Sequence, residues 1–303
     1  MQRTLHIATA IDQAYLVPLQ VTVASLQKHL RTSLQPRLYL LHRALRHTDI
    51  AAVAGLIDTR AIVPGENAIR NLPRQSHFSP EASFPLLLPD VLPGDVDRVL
   101  FLDPDLLVLD DVGKIWDTDL GDDTIAAVRD LAIPRCSSPR GVKDRQTMGI
   151  PDDAPYFNAG MMLIDLARWR TEKVSTRALD YLEQHRGRTD YSHQEALNAV
   201  LWNKWKQLDQ RWNLIASLAG RRYSQSPQSA VAPGIVHFAG RFKPWRLDVR
   251  SPFAEPYAGL LREFAVDTTS LGSISDKLLG AYDRHLRDYV YGVERRLWVK
   301  RLI

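Results

Sequence analysis

The chain has 303 residues, enough for one large α/β domain or two smaller ones, and 45% hydrophobic with 24% charged content is ordinary for a globular protein. One cysteine, Cys136, excludes an intrachain disulfide and reads as a small apolar residue, no run approaches the roughly 18 apolar residues of a membrane span, and the first ten residues are too short and interrupted for a signal peptide, so a cytoplasmic protein is expected. Most of the net charge of +4 gathers in residues 281–303, where six Arg or Lys face three acids; the remainder is nearly neutral, which argues against a nucleic-acid binder.

Leu5 to Ala10 predicts a first strand, and Ile11 to Tyr15 the loop at its carboxyl end. Apolar residues at 19, 23, 26 and 30 predict a helix over Pro18–Leu30. Arg37–Leu41 is a second strand, Thr48-Asp49 would cap a helix ending near Gly55, and Ala61–Val63 is a short third strand. This β-α-β-α-β order implies a mainly parallel sheet with ligands at the strands' carboxyl ends. Residues 81–92 predict a helix, and Arg98–Leu102 a buried strand ending in Asp103-Pro104-Asp105. Ile125–Val128 is a strand leading to Asp130, and Pro134–Pro155 a long loop of the kind that often binds or covers ligands. Met161–Leu166 is a strand with a helical region from Trp169, Ile235–Phe238 a late strand, and 266–275 a linker.

Two distant segments carry the chemistry. In an extended segment, residues two apart point the same way, so Asp103 and Asp105 can face one ion. His237 could join them, and oxygen ligands with one imidazole suit Mn²⁺ or Mg²⁺ better than zinc. Six residues later Lys243 supplies a compact positive charge for phosphate, with Gly240 between them allowing close backbone approach. An Asp-x-Asp alone is most often a turn; the two segments together suit a divalent metal carrying a diphosphate, and a nucleotide-sugar transferase is the leading expectation.

On these residues the chain resembles glycosyltransferase family 8, especially bacterial lipopolysaccharide galactosyl- and glucosyltransferases. The resemblance runs from about Ile7 to about Trp245. It rests on Asp12-Gln13-Ala14-Tyr15 with Pro18-Leu19 and Ser25-Leu26; on Arg98 to Asp105; on Trp116-Asp117-Thr118-Asp119-Leu120-Gly121; on Tyr156-Phe157-Asn158-Ala159-Gly160; on Gln194-Glu195-Ala196-Leu197-Asn198; and on His237 to Trp245. It implies an α/β GT-A fold: one Rossmann-like nucleotide-sugar-binding domain over 1–265, with a mixed, mainly parallel sheet, followed by a linker and helical tail over 266–303. It implies a UDP-sugar donor, with Asp103, Asp105 and His237 as Mn²⁺ (or Mg²⁺) ligands. Ala10, Asp12 and Tyr15 would contact the nucleotide, Tyr15 as a stacking face. Asp103, Gly240 and Lys243 would approach the diphosphate, and Asp130, Asn158 and Gln194 would form the reacting sugar's pocket. The implied activity is hexose transfer, galactose or glucose, with retention, to a glycan or glycolipid acceptor such as lipopolysaccharide core.

Three positions depart from the family pattern: Pro85 where relatives usually carry Arg, His193 where they usually carry Asp, and Ala14 in place of Asn. They motivate an alternative, a weakened or inactive UDP-sugar-binding protein. A phosphatase of the haloacid dehalogenase type also begins with a strand and Asp-x-Asp, but Leu106 stands where that class wants Thr or Val, and the His237–Lys243 segment would be unexplained. In the tail, Leu286, Tyr289, Val290, Val293, Leu297 and Trp298 interleave with Arg, which predicts a basic amphipathic helix over 281–303. Peripheral association with the inner face of an anionic membrane is expected from it.

Overall fold

A computed structural model describes residues 3–72, 79–190, 192–217, 232–240, 243–244 and 253–263. The linker and basic helix expected after residue 265 lie outside the described residues, as do Arg241, Phe242 and Trp245. Among the described residues no helix is long and apolar enough to cross a membrane.

The strands are β1 (Thr4–Ala10), β2 (Gln35–Leu41), β3 (Asp58–Ile62), β4 (Arg98–Leu102), β5 (Leu106–Val108), β6 (Ile125–Arg129), β7 (Phe157–Asp165), β8 (Trp205–Gln207), β9 (Leu214–Ile215) and β10 (Ile235–His237). The helices are α1 (Leu16–His29), α2 (His47–Ala54), α3 (Glu66–Arg70), α4 (Leu88–Val91), α5 (Gly113–Trp116), α6 (Leu166–Thr171), α7 (Val174–Gln184), α8 (Ser192–Leu201) and α9 (Ala254–Glu263). Seven strands form the main sheet in the order β3-β2-β1-β4-β7-β6-β8. All run parallel except β7, which is antiparallel to both β4 and β6. The mixed, mainly parallel α/β sheet expected from the sequence is present. A second sheet, β5-β10-β9, stands beside it.

Strand alternation divides the core into two layers. In β4, Val99 and Phe101 pack with Phe84, Phe157 and Trp169 on one face, while Leu100 and Leu102 pack with Leu19, Leu26 and Met161 on the other. A smaller cluster joins Val21, Leu107, Val236, Phe238 and Tyr257, so α1 and α9 cover the second sheet.

Three local expectations change. The helix expected over 81–92 is a 3-10 helix, Pro80–Leu87, followed by the short α4. Pro80, Pro85 and Pro89 lack the N–H groups that a continuous α-helical ladder needs. Asp49 does not start α2; Arg46 is the N-cap, and Asp49 accepts its backbone N–H at 3.1 Å from within the first turn. The strand expected from Met161 begins four residues earlier, at Phe157. Pairing with β6 is irregular there: Ala127 opposes Met162 while Val128 opposes Asn158.

Candidate active site

β4 stops at Leu102, and the backbone N–H of Asp103 still donates to the Gly160 carbonyl on β7 at 2.8 Å. Pro104 has no N–H to extend the ladder. α1 fixes the turn instead. The buried Thr22 hydroxyl lies 2.8 and 2.9 Å from the carbonyls of Pro104 and Leu106 and accepts the Leu106 N–H at 3.1 Å. Ser25, one turn on, accepts the Val108 N–H. β10 then pairs antiparallel with β5, placing His237 opposite Leu106, and the Phe238 N–H donates to the Asp105 carbonyl.

The three candidate ligands therefore meet. His237 Nε2 is 3.6 Å from Asp103 Oδ2 and 3.3 Å from Asp105 Oδ1, and one ligand atom from each residue lies within 4.8 Å of the others. Burial and the nearby Asp105 charge push the Asp103 carboxyl well above its ordinary range. Burial opposes ionisation of Asp105 too, but Lys243 and His237 outweigh it and hold Asp105 ionised. The ammonium of Lys243 rests on Asp105 Oδ2 and donates to the Phe238 carbonyl at 2.8 Å. It also lies 5.4 Å from the centre of the Tyr15 ring. Two crowded carboxylates and an imidazole, all aimed at one point, fit a divalent cation. Asp103, Asp105 and His237 would hold it.

Asp12 accepts the Ala14 N–H at 2.9 Å and so starts the 3-10 turn that presents Tyr15. Ala10 ends β1 just before it. Gly240 has φ +74°, a left-handed conformation, with open space around the position of a side chain.

The other three expected residues form a second, buried cluster. Asp130 follows β6, and its Oδ1 accepts the N–H groups of Ala132 and Ile133 at 2.8 and 3.0 Å. Its Oδ2 accepts from Asn158 Nδ2 at 3.0 Å and from Gln194 Nε2 at 3.3 Å. Gln194 Oε1 accepts the Ala159 N–H at 3.0 Å, and Asn158 Oδ1 the Gly160 N–H at 3.0 Å. α8 thus supplies what the irregular β6–β7 pairing leaves unmet. Asn198, one turn after Gln194, binds both the N–H and the carbonyl of Phe157.

The sequence reading missed several supporting residues. Asn213, buried at the end of a 3-10 turn, bridges the two clusters: its Oδ1 lies 2.9 Å from His237 Nδ1, and its Nδ2 donates to Asn158 Oδ1 at 2.9 Å. Glu195, fully buried, accepts from the Tyr181 hydroxyl at 2.7 Å and from the Lys143 N–H at 3.2 Å. It ties the long 134–155 loop to α7 and α8. No spacing motif marks Asn213, which acts through bonds to distant segments; Glu195 stands in the Gln194–Asn198 motif, but nothing there shows its role. Gly160 was visible as a motif glycine, though not the reason for it.

Of the departures, Pro85 is buried in the 3-10 segment that packs on α8, and His193 lies in the first turn of α8. Burial pushes the His193 imidazole down to about 4, so it is neutral at pH 7. Cys136 is fully buried, its thiol pushed up to about 12 by burial, which suits the inert role expected of it.

This arrangement, a carboxylate-imidazole cluster at the carboxyl edge of a mainly parallel sheet, is that of a GT-A glycosyltransferase. The chain belongs to glycosyl transferase family 8, whose family model matches residues 6–248. The galactosyltransferase LgtC, solved in complex with donor and acceptor sugar analogs, superimposes with a TM-score of 0.72 at 26% identity, covering 91% of this chain and 99% of that one. General stress protein A of Bacillus subtilis is 26% identical over 274 residues, which is 84% of this chain and 91% of the relative. Probable galacturonosyltransferase-like 4 of Arabidopsis thaliana is also 26% identical, over 82% of this chain and 75% of the relative.

Proposed function

We propose that the chain transfers a hexose, galactose or glucose, from a UDP-sugar to a glycan or glycolipid acceptor, with Mn²⁺ or Mg²⁺ and with retention of anomeric configuration. The observation that carries this reading is the convergence of Asp103, Asp105 and His237 beside Lys243, hydrogen-bonded through to Asp130, Asn158 and Gln194. The resemblance supports lipopolysaccharide core as the acceptor.

In this reading Asp103, Asp105 and His237 hold the cation, which when bound acts as a Lewis acid toward the charge gathering on the UDP leaving group. Lys243 sets a positive charge beside the diphosphate, and Tyr15 offers a ring face to the base. The amides of Asn158 and Gln194 each donate one N–H to Asp130 and keep another to orient the sugar. Orientation of donor and acceptor supplies much of the rate.

Retention could proceed through a covalent sugar–enzyme intermediate or by attack on the face that the leaving group departs from. Asp130 is the carboxylate of the sugar-pocket cluster, and four donors engage its two oxygens, so it is a weak nucleophile. The amide of Gln194 is weaker still. Both favour front-face attack: the acceptor oxygen bonds to the anomeric carbon as the bond from that carbon to the diphosphate oxygen breaks. The acceptor's proton passes to the departing phosphate oxygen, giving the glycoside and UDP.

The test is donor hydrolysis by purified protein with Mn²⁺ and UDP-galactose, UDP-glucose or UDP-N-acetylglucosamine, with and without Asp103→Ala. UDP release from one donor, lost in the variant, is the expected result. Mn²⁺-dependent UDP binding with neither hydrolysis nor transfer would favour the inactive binding protein, and would point to Pro85 and His193. A sugar trapped covalently on any side chain would overturn front-face attack.

A further inference from the structure

We infer that Asn213 is a positioning residue that locks the His237 ring to the sugar-pocket cluster, so that cation binding and sugar orientation share one hydrogen-bonded chain. The inference rests on the metal-centre reading above.

The direction of every bond in that chain follows from backbone groups whose polarity is fixed. The Gly160 N–H can only donate, so the atom of Asn158 that it meets is the carbonyl oxygen. That oxygen then requires a donor from Asn213, which must turn its Nδ2 toward Asn158. The Asn213 carbonyl oxygen is left facing His237, so the imidazole carries its hydrogen on Nδ1. In the neutral ring Nε2 then keeps its lone pair, and Nε2 is the atom facing Asp103 and Asp105. A histidine that binds a metal through one ring nitrogen while donating from the other is held in tautomer and orientation by that second bond. The other end is fixed in the same way. The Ala159 N–H assigns the oxygen of Gln194, whose nitrogen then donates to Asp130.

Asn213 is suited to this by its place in the fold. The 3-10 turn that ends at Asn213 leads into β9, which pairs parallel with β10 and sets Ile215 beside His237. The residue is only 1% exposed, so water does not compete for its amide. An apolar residue there would leave His237 Nδ1 without its acceptor and Asn158 Oδ1 without its second donor. A carboxylate would satisfy the imidazole but present an oxygen to Asn158.

The experiment compares wild type, Asn213→Ala, Asn213→Asp and Asp103→Ala. It reads Mn²⁺ affinity of the nucleotide-free protein by electron paramagnetic resonance, kcat and KM for UDP-sugar hydrolysis, and fold by circular dichroism. Asn213→Ala should weaken Mn²⁺ binding by about 10–100-fold, the usual effect of losing a ligand's supporting bond. Asn213→Asp should keep Mn²⁺ affinity within about threefold yet lower kcat by about tenfold or more, a split that general destabilisation would not give. In ¹⁵N-histidine spectra recorded at high pH, His237 should be the Nδ1–H tautomer in wild type and lose that preference in Asn213→Ala. Folded variants that match wild type in affinity and kcat, or a neutral wild-type His237 carrying its hydrogen on Nε2, would overturn the role of Asn213. Unchanged Mn²⁺ affinity in Asp103→Ala would instead overturn the metal-centre reading, and the tautomer would still decide Asn213.

Discussion

Gly160 and His237 are packed so closely that no methyl group fits between them. A Cβ on Gly160 would lie 2.3 Å from Cε1 of His237 and 2.6 Å from Oδ2 of Asp103. The glycine is required by space rather than by φ, because the flat side of β7 is the floor on which the candidate cation site rests. Gly160→Ala must therefore push the imidazole, the carboxylate or the strand aside. We expect Mn²⁺ affinity and donor hydrolysis to fall by about 100-fold or more, with the circular dichroism spectrum kept. Wild-type hydrolysis by this variant would show that the three side chains do not pack as described.

Thr22 stands behind the same turn. Its hydroxyl serves two carbonyls and one N–H around Asp105, and valine has its shape without its polarity. Thr22→Val leaves buried backbone groups unpaired and should cost about 1–3 kcal/mol in urea unfolding. A midpoint equal to wild type would mean that the Asp103–Asp105 turn is held by other contacts.

His193 should make the fold acid-sensitive. Burial lowers its pKa from an ordinary 6.5 to about 4, so between these values the unfolded chain binds a proton that the folded chain does not. Its contribution to stability is complete above pH 6.5 and is lost as pH falls towards 4. Melting temperatures of wild type and His193→Asn should diverge over that interval, with wild type falling further. Parallel curves would place His193 in solvent rather than in the protein.

Asp144 clamps the long loop to the turn after α7. It has φ +51°, accepts from two guanidinium nitrogens of Arg188 at 3.1 Å, and its Oδ2 lies 3.1 Å from His185 Nε2. Asp144 and Arg188 are about half exposed, so solvent screens the pair and it adds little to stability. Asp144→Ala should leave urea stability nearly unchanged while speeding tryptic cleavage at Arg140, Lys143 and Arg145, as read by mass spectrometry. An unaltered cleavage rate would show that the Glu195 bonds alone keep the loop down.

The alternation and apolar runs of β1, β2, β4 and β6 were plain in the sequence, because their side chains face a core on both sides of the sheet. Asp103, Asp105 and His237 were legible for a different reason: few contexts place such residues after a buried strand. The start of β7 was hidden. Asn158, Ala159 and Gly160 are poor strand formers, and they are held there by amides from α8, more than 30 residues away in the chain. Asn213 was hidden likewise, and so was the role of Glu195, since a buried polar residue acquires its meaning only from a partner the fold delivers. The proline-rich segment from 80 to 92 misled because its apolar spacing is helical while its missing N–H groups are not.

The reversed strand β7 also has a consequence for biosynthesis. β4 and β6 leave the ribosome first, yet they do not pair with one another; each waits for β7, which must enter between them from later in the chain. Until residues 157–165 have been made, the part of the sheet bearing Asp103 and the part bearing Asp130 have no shared hydrogen bonds. Such insertion of a central strand is a slow, long-range step. A nascent chain halted before Phe157 would expose the β7-facing edge of β4 and both edges of β6 to solvent and chaperones, and substitutions in β7 should lower the yield of folded protein before they alter its chemistry.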